Sequence, residues 1–350
     1  MRQASIRRFP AALVATAAAL AALTAPAGHA QDNKVLNLYS ARHYQTDEAL
    51  YANFTKATGI KINRIEAGDE QLIDRLKTEG ANSPADVILM VDAARLWSSQ
   101  QLGLFAPIKN ATLEARVPVQ LRDPAGNWFG FSTRARVIVY NKQTVKPEDV
   151  ASYEALADPK NKNKVCTRSG SHPYMLSLVS AVMEHDGEAK AEAWAKSVVG
   201  NFARKPVGGD SDQIKAVASG ECGIALTNTY YWVRMLKSTK PDEQELVKKV
   251  GFVWPNQASY GTHVNISGGG MAKNSPNKEA AVKFLEYLAG DEAQAYFANG
   301  NNEWPVVKSA TVKNPELDSL GKFKADNIGP GVFGKNTATA QKIVDRAGWK

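Results

Sequence analysis

The chain of 350 residues carries 43 Lys and Arg against 35 Asp and Glu, a formal net charge of +8. The excess is spread along the chain with no basic block, which excludes a nucleic-acid-binding tail and leaves charge as a solubility property. This length is too great for one core of ordinary size and suits two domains. At the N-terminus, Arg2, Arg7 and Arg8 precede an Ala/Leu-rich run from Ala11 to about Ala25, then Gly28-His29-Ala30 and polar residues from Gln31 onward. That order is the layout of a cleaved secretory signal over residues 1–30, and the apolar run is short for a membrane span. Arg7-Arg8 before Phe9 leaves general secretory and twin-arginine export both open. Removing the signal takes away three Arg and no acid, so the mature charge falls to +5. The chain holds two cysteines, Cys166 and Cys222, and an exported compartment favours a disulfide over two buried thiols.

Val35–Tyr39 reads as a first strand that breaks at Ser40-Ala41-Arg42, and a helix follows over 46–58 with Leu50, Phe54 and Ala57 on one face. Residues 60–65 form the next strand, Gly68-Asp69 opens a helix that Gly80 ends, and Asp86–Val91, apolar after its first residue, has the look of a buried strand. A helix then runs through Trp97 to Gly103, and residues 129–140 form a longer strand. Strands alternating with helices in this way imply βαβ units and a mostly parallel sheet. A second series follows. It has a strand over 164–167, helices from Pro173, over 188–199 and over 211–218, a strand over 223–226 and a helix from Tyr230. Val250–Trp254 leads into a loop-rich stretch ending at Gly268-Gly269-Gly270. The clearest helix comes next, with Ser275-Pro276 as cap and first-turn proline and Ala280, Ala281, Phe284, Leu285 and Leu288 as its buried stripe. No low-complexity linker separates the two series, which suits domains joined by crossing strands that act as a hinge.

Hydrolase chemistry finds no support: the sequence lacks GxSxG, HExxH and P-loop patterns, and Ser275–Lys278 matches SxxK only as a bare spacing. Phenol and imidazole groups instead gather where strands end and helices begin, at Ser40–Tyr44, Ser169–Tyr174 and Thr227–Trp232. Ligands of doubly wound α/β domains bind at such strand ends. Residue types and spacing alone stop at a binding protein.

Leu38–Tyr44, Gly220-Glu221-Cys222-Gly223 with Asn228-Thr229-Tyr230-Tyr231, Asn265–Gly268, Asp291–Gln294 and Glu303-Trp304-Pro305-Val306 resemble the motifs of the periplasmic ferric-ion-binding proteins of ABC iron importers, the FbpA-like and FutA-like group. The resemblance runs over essentially the whole mature chain. It implies an α/β fold of the two-domain clamshell kind, a type II periplasmic binding protein, with each domain a mostly parallel sheet flanked by helices and with crossing hinge strands between them. The domains implied are 31–135 plus 257–305 and 136–256 plus 306–350, with the ligand cleft between them. Position by position, Tyr230 and Tyr231 match the family's paired tyrosinates, Tyr174 the further tyrosine of one subgroup, and His43 and Tyr44 the ligands from the opposite domain. Asp92 stands near the place where another branch has a Glu ligand, but its side chain is shorter and a polar strand end explains it better. Arg134 looks like the arginine that pairs with a synergistic anion such as carbonate or balances charge, with Arg136 as the alternative. The implied cargo is Fe(3+) and the implied partner an inner-membrane permease, for a monomeric protein of the periplasm that is neither an enzyme nor a nucleic-acid binder. Hard oxygen donors suit such an ion. A clamshell for a small organic or anionic solute of the thiamine, polyamine or phosphonate type is the other reading, with Ser169-Gly170-Ser171 at a helix N-terminus holding an anion.

Overall fold

The computed structural model describes residues 34–42 and 44–350. The signal segment and His43 lie outside the described residues. The strands are β1 (Val35–Ser40), β2 (Lys61–Glu66), β3 (Val87–Met90), β4 (Phe129–Asn141), β5 (Val165–Cys166), β6 (Ile224–Asn228), β7 (Val250–Val253), β8 (Val264–Met271) and β9 (Trp304–Pro305). The helices are α1 (Asp47–Thr58), α2 (Asp69–Glu79), α3 (Ala93–Gln101), α4 (Ala111–Arg116), α5 (Pro173–Asp186), α6 (Glu188–Gly200) and α7 (Asp210–Ser219). They continue with α8 (Thr229–Leu236), α9 (Pro241–Lys249), α10 (Lys278–Leu288), α11 (Asp291–Asn299), α12 (Pro315–Asp318) and α13 (Pro330–Ala347). Among the described residues no helix is long and apolar enough to cross a membrane.

The strands run in the order β2-β1-β3-β8-β4-β6-β5, with β7 and β9 also paired to β4. β2-β1-β3 and β6-β5 are parallel, as the βαβ reading requires, whereas β8 and β4 run antiparallel through the middle. β4 changes partners along its length: Phe129–Ala135 pairs with β8, and Arg136–Asn141 pairs with β6 and β7. Side chains alternate across each half. In β3, Val87 and Leu89 join the core with Phe54, Phe284 and Leu288, while Ile88 and Met90 join Leu72, Leu76 and Leu96 on the other face. In β6, Ile224 and Leu226 meet Met175, Val179 and Ile343, while Ala225 meets Ile214, Val217 and Trp232. Both faces of both halves are therefore covered by helices, which is why these strands read as continuous apolar runs.

Three expectations from the sequence are corrected. Val264–Met271 is no loop: it is β8, in the middle of the sheet. A Cβ on Gly268, Gly269 or Gly270 would come within 2.4, 2.4 and 2.1 Å of the carbonyl oxygens of Phe129, Ile88 and Asn127, so the glycines are there for close backbone approach. Ser275 does not cap α10, which begins at Lys278; its hydroxyl donates to the buried Asp86 carboxylate at 2.7 Å. Ala57 is exposed, and the buried face of α1 is Leu50, Tyr51 and Phe54. The disulfide expectation holds: Cys166 and Cys222 are bonded, with Cα atoms 5.9 Å apart.

Candidate metal centre

Four phenols approach from three segments. Tyr44 follows the end of β1. Tyr174 is the second residue of α5, whose first turn is set by Pro173 and capped by His172, with Nδ1 accepting from the Tyr174 amide at 3.2 Å. Tyr230 and Tyr231 lie in the first turn of α8, directly beyond β6. The chain is steered there by Asp210, fully buried, whose carboxylate accepts from the Asn228 amide at 2.7 Å.

The phenol oxygens of Tyr174 and Tyr230 are 3.2 Å apart, the ring of Tyr44 meets Tyr230 edge-on at 5.7 Å, and Tyr230 and Tyr231 pack at 4.3 Å between centroids. The structure thus brings together Tyr44, Tyr174, Tyr230 and Tyr231; His43 lies outside the described residues. Burial raises the Tyr44, Tyr174 and Tyr230 phenols above their ordinary range. The neighbouring Glu303 adds to this for Tyr44, and the neighbouring phenols for Tyr230. Arg134 acts the other way on all three. Among the described residues no group of three His, Cys, Asp or Glu is placed to hold a metal, so a metal here would depend on phenolate oxygens.

The cations around the phenols differ in what already holds them. Arg136 donates to Asp210 at 2.5 Å and to Asn228 at 3.1 Å. Arg42 donates twice to Asp47, at 2.6 and 3.1 Å. Arg134, 1% exposed, has no hydrogen bond from any guanidinium nitrogen among the described residues and meets Glu303 only at 3.4 Å. Burial alone would lower its guanidinium, but Glu303 and the phenols raise it, so the charge stays on. Between Arg134 and Arg136, Arg134 is the one left facing the phenols.

Glu303, the first residue of the Glu303–Val306 motif, also belongs to the site. Its carboxylate accepts from Tyr44 at 3.1 Å and from Ser132 at 2.7 Å, and it is fully buried. No spacing signal links it to Tyr44, which is 259 residues away. Asp92 caps α3, accepting from the Ala94 amide at 2.8 Å and from Asn265 at 2.8 Å. The Ser169-Gly170-Ser171 turn is also occupied: a Cβ on Gly170 would lie 2.4 Å from the Trp349 carbonyl oxygen, and the Ser171 hydroxyl accepts from Gln341 at 2.9 Å.

A sheet crossed by strands that serve both halves, with buried polar groups converging from the ends of β1, β5 and β6, is the architecture of a periplasmic-type solute-binding protein. The chain belongs to the bacterial extracellular solute-binding protein family, whose model matches residues 49–325. It is 50% identical over 319 residues to iron uptake protein A1 of Synechocystis sp., covering 91% of this chain and 88% of that one. It is 30% identical to the major ferric iron-binding protein of Neisseria meningitidis over 94% of this chain and 97% of the relative. A solved structure of Trichodesmium FutA (IdiA) in complex with iron and citrate ligands matches with a TM-score of 0.85 and 52% identity, over 90% of this chain and 100% of that chain.

Proposed function

We propose that this protein is the periplasmic ferric-iron-binding component of an ABC importer. Iron is captured by His43, Tyr44, Tyr174, Tyr230 and Tyr231, and the loaded monomer is recognised by an inner-membrane permease. The lobes are residues 31–135 plus 257–305 and 136–256 plus 306–350, and they hinge where β4 changes partners between Ala135 and Arg136. Ligands drawn from both lobes make metal binding and closure one event. Three phenolates neutralise a trivalent ion, and Arg134 offsets the charge of a fourth or of an accompanying anion such as carbonate.

The observation that carries this reading is the meeting of Tyr44, Tyr174 and Tyr230, with two phenol oxygens at 3.2 Å, beside an arginine whose guanidinium has no hydrogen bond among the described residues. Such a donor set suits a hard cation, and relatives bearing iron-uptake and ferric-binding names support it. The test is titration of the apo-protein with ferric citrate. A visible phenolate-to-iron band is expected, shifted and weakened more by Tyr230→Phe or Tyr231→Phe than by His43→Ala, because imidazole contributes no charge. A protein that stays colourless overturns the reading and turns attention to a small organic solute.

A further inference from the structure

Two cavities reach the tyrosine cluster, and their linings carry opposite charge. The smaller, about 360 Å³, ends on Tyr174 and is lined by the carboxylates of Asp69 and of Glu66, the latter paired with Arg64 at 3.0 Å. Its arginine, Arg42, is already bound to Asp47. The larger, about 710 Å³, ends on Tyr44 and is lined by Arg234, Lys237 and Lys240, with Glu243 as its one acid among the described residues. Glu243 meets Lys240 at 3.7 Å, while Arg234 and Lys237 have no carboxylate within salt-bridge distance among the described residues. The Arg234 guanidinium stands over the Tyr231 ring at 5.3 Å. Lys237 is pinned at the rim, donating to the Asn299 carbonyl at 3.1 Å and to Asn302 at 3.3 Å, next to Glu303. The larger cavity is therefore a cationic vestibule that opens directly on Tyr44, with Arg234 linking its wall to Tyr231.

Ferric ion hydrolyses in neutral water, so it arrives at a protein as a chelate. We propose that the vestibule receives that chelate as an anionic polycarboxylate complex, held by Arg234, Lys237 and Lys240 while the tyrosines take the metal. The proposal rests on the ferric-iron reading of the cleft and names the form in which the cargo enters. For each iron–carboxylate bond broken, one iron–phenolate bond forms, and the phenol proton passes to the freed carboxylate or to water. The emptied carrier then leaves. Guanidinium and ammonium groups suit carboxylates, and a cavity of this volume lies in the range of small-molecule sites. An anionic carrier is repelled from the cavity lined by Glu66 and Asp69, which gives entry a direction.

The test separates capture from coordination. Apo-protein is mixed with ferric citrate, an anionic donor, or with ferric tris(acetohydroxamate), a neutral one, and the growth of the visible band is timed. Lys237→Glu/Lys240→Glu should slow transfer from citrate about tenfold or more and leave transfer from the hydroxamate unchanged, with the same final band in both proteins. Raising ionic strength should slow the wild-type citrate reaction only. Lys240→Glu alone, which disturbs no bond to Asn299 or Asn302, should give part of the effect. Equal slowing with both donors, or no slowing with citrate, overturns the vestibule while leaving the iron site standing. A band absent from both proteins with both donors overturns the iron reading and this proposal with it.

Discussion

Loading this site with ferric iron should release at least three protons per metal near neutral pH. Tyr44, Tyr174 and Tyr230 are each raised above the ordinary phenol value, chiefly by burial. From the ordinary pKa of about 10, ionising one phenol at pH 7 costs about 4 kcal/mol, and burial makes that a lower bound. Three such ionisations cost at least about 12 kcal/mol, which coordination must offset. The metal's three positive charges and the nearby Arg134 are what the site has to do it with. The sign follows directly: the bound state holds fewer protons, so affinity falls as pH falls. With three protons exchanged, the affinity should drop roughly a thousandfold for each pH unit between 8 and 6. Proton release is measured calorimetrically by loading iron from a chelate of known proton stoichiometry in two buffers of different ionisation enthalpy. Fewer than two protons released by the protein would refute the multi-phenolate site.

Removing the Cys166–Cys222 bridge, which closes a 56-residue separation, should cost about 4 kcal/mol of stability, read as a lower urea midpoint in Cys166→Ser/Cys222→Ser; an unchanged midpoint refutes it. His263 is buried with its Nε2 on Ser177 at 3.1 Å, and burial, with Arg136 adding, lowers its imidazole from 6.5 to about 3. The folded protein therefore declines a proton that the unfolded chain accepts, so stability present above pH 6.5 falls on acidification by about 2 kcal/mol at pH 5. His263→Gln should shrink the difference in melting temperature between pH 7 and pH 5, and an identical difference in both proteins would refute that assignment. At Gly334 a Cβ would lie 2.4 Å from the Cβ of Trp97, so Gly334→Ala should part α13 from α3 at a cost of about 1–3 kcal/mol. Gly334→Ala should lose much of that cost when Trp97→Ala is added, and a strictly additive pair would sink the steric explanation.

What could be read from the sequence followed from local rules. The strands β1 and β3 and the helix α10 announce themselves by apolar runs or helical spacing, and the tyrosines stand out because they follow strand ends. β8 could not be read this way. Its Gly268-Gly269-Gly270 looks like a breaker until the carbonyls of Phe129, Ile88 and Asn127 are known to press on it from neighbouring chain segments. α13 escaped for a related reason: Gly331, Gly334, Thr337 and Thr339 dilute its helical signal, and Gly334 is small because Trp97 needs the space.

The same limit applies to charge at the site. The sequence displays Arg42, Arg134 and Arg136 as three equivalent cations and cannot tell which is available. Distinguishing them depends on which acid the fold brings to each: Asp210 takes Arg136 from 74 residues away, whereas Asp47 takes Arg42 from five residues along. Glu303 is already shared by Tyr44, Ser132 and both Arg42 and Arg134, so it cannot give Arg134 a full hydrogen-bonded pair. Arg134 is left with its charge turned toward the phenols, and that remainder is what a trivalent ion with four phenolates, or an anion beside it, requires. The role of this arginine is therefore set less by its own position than by which acids its neighbours have engaged.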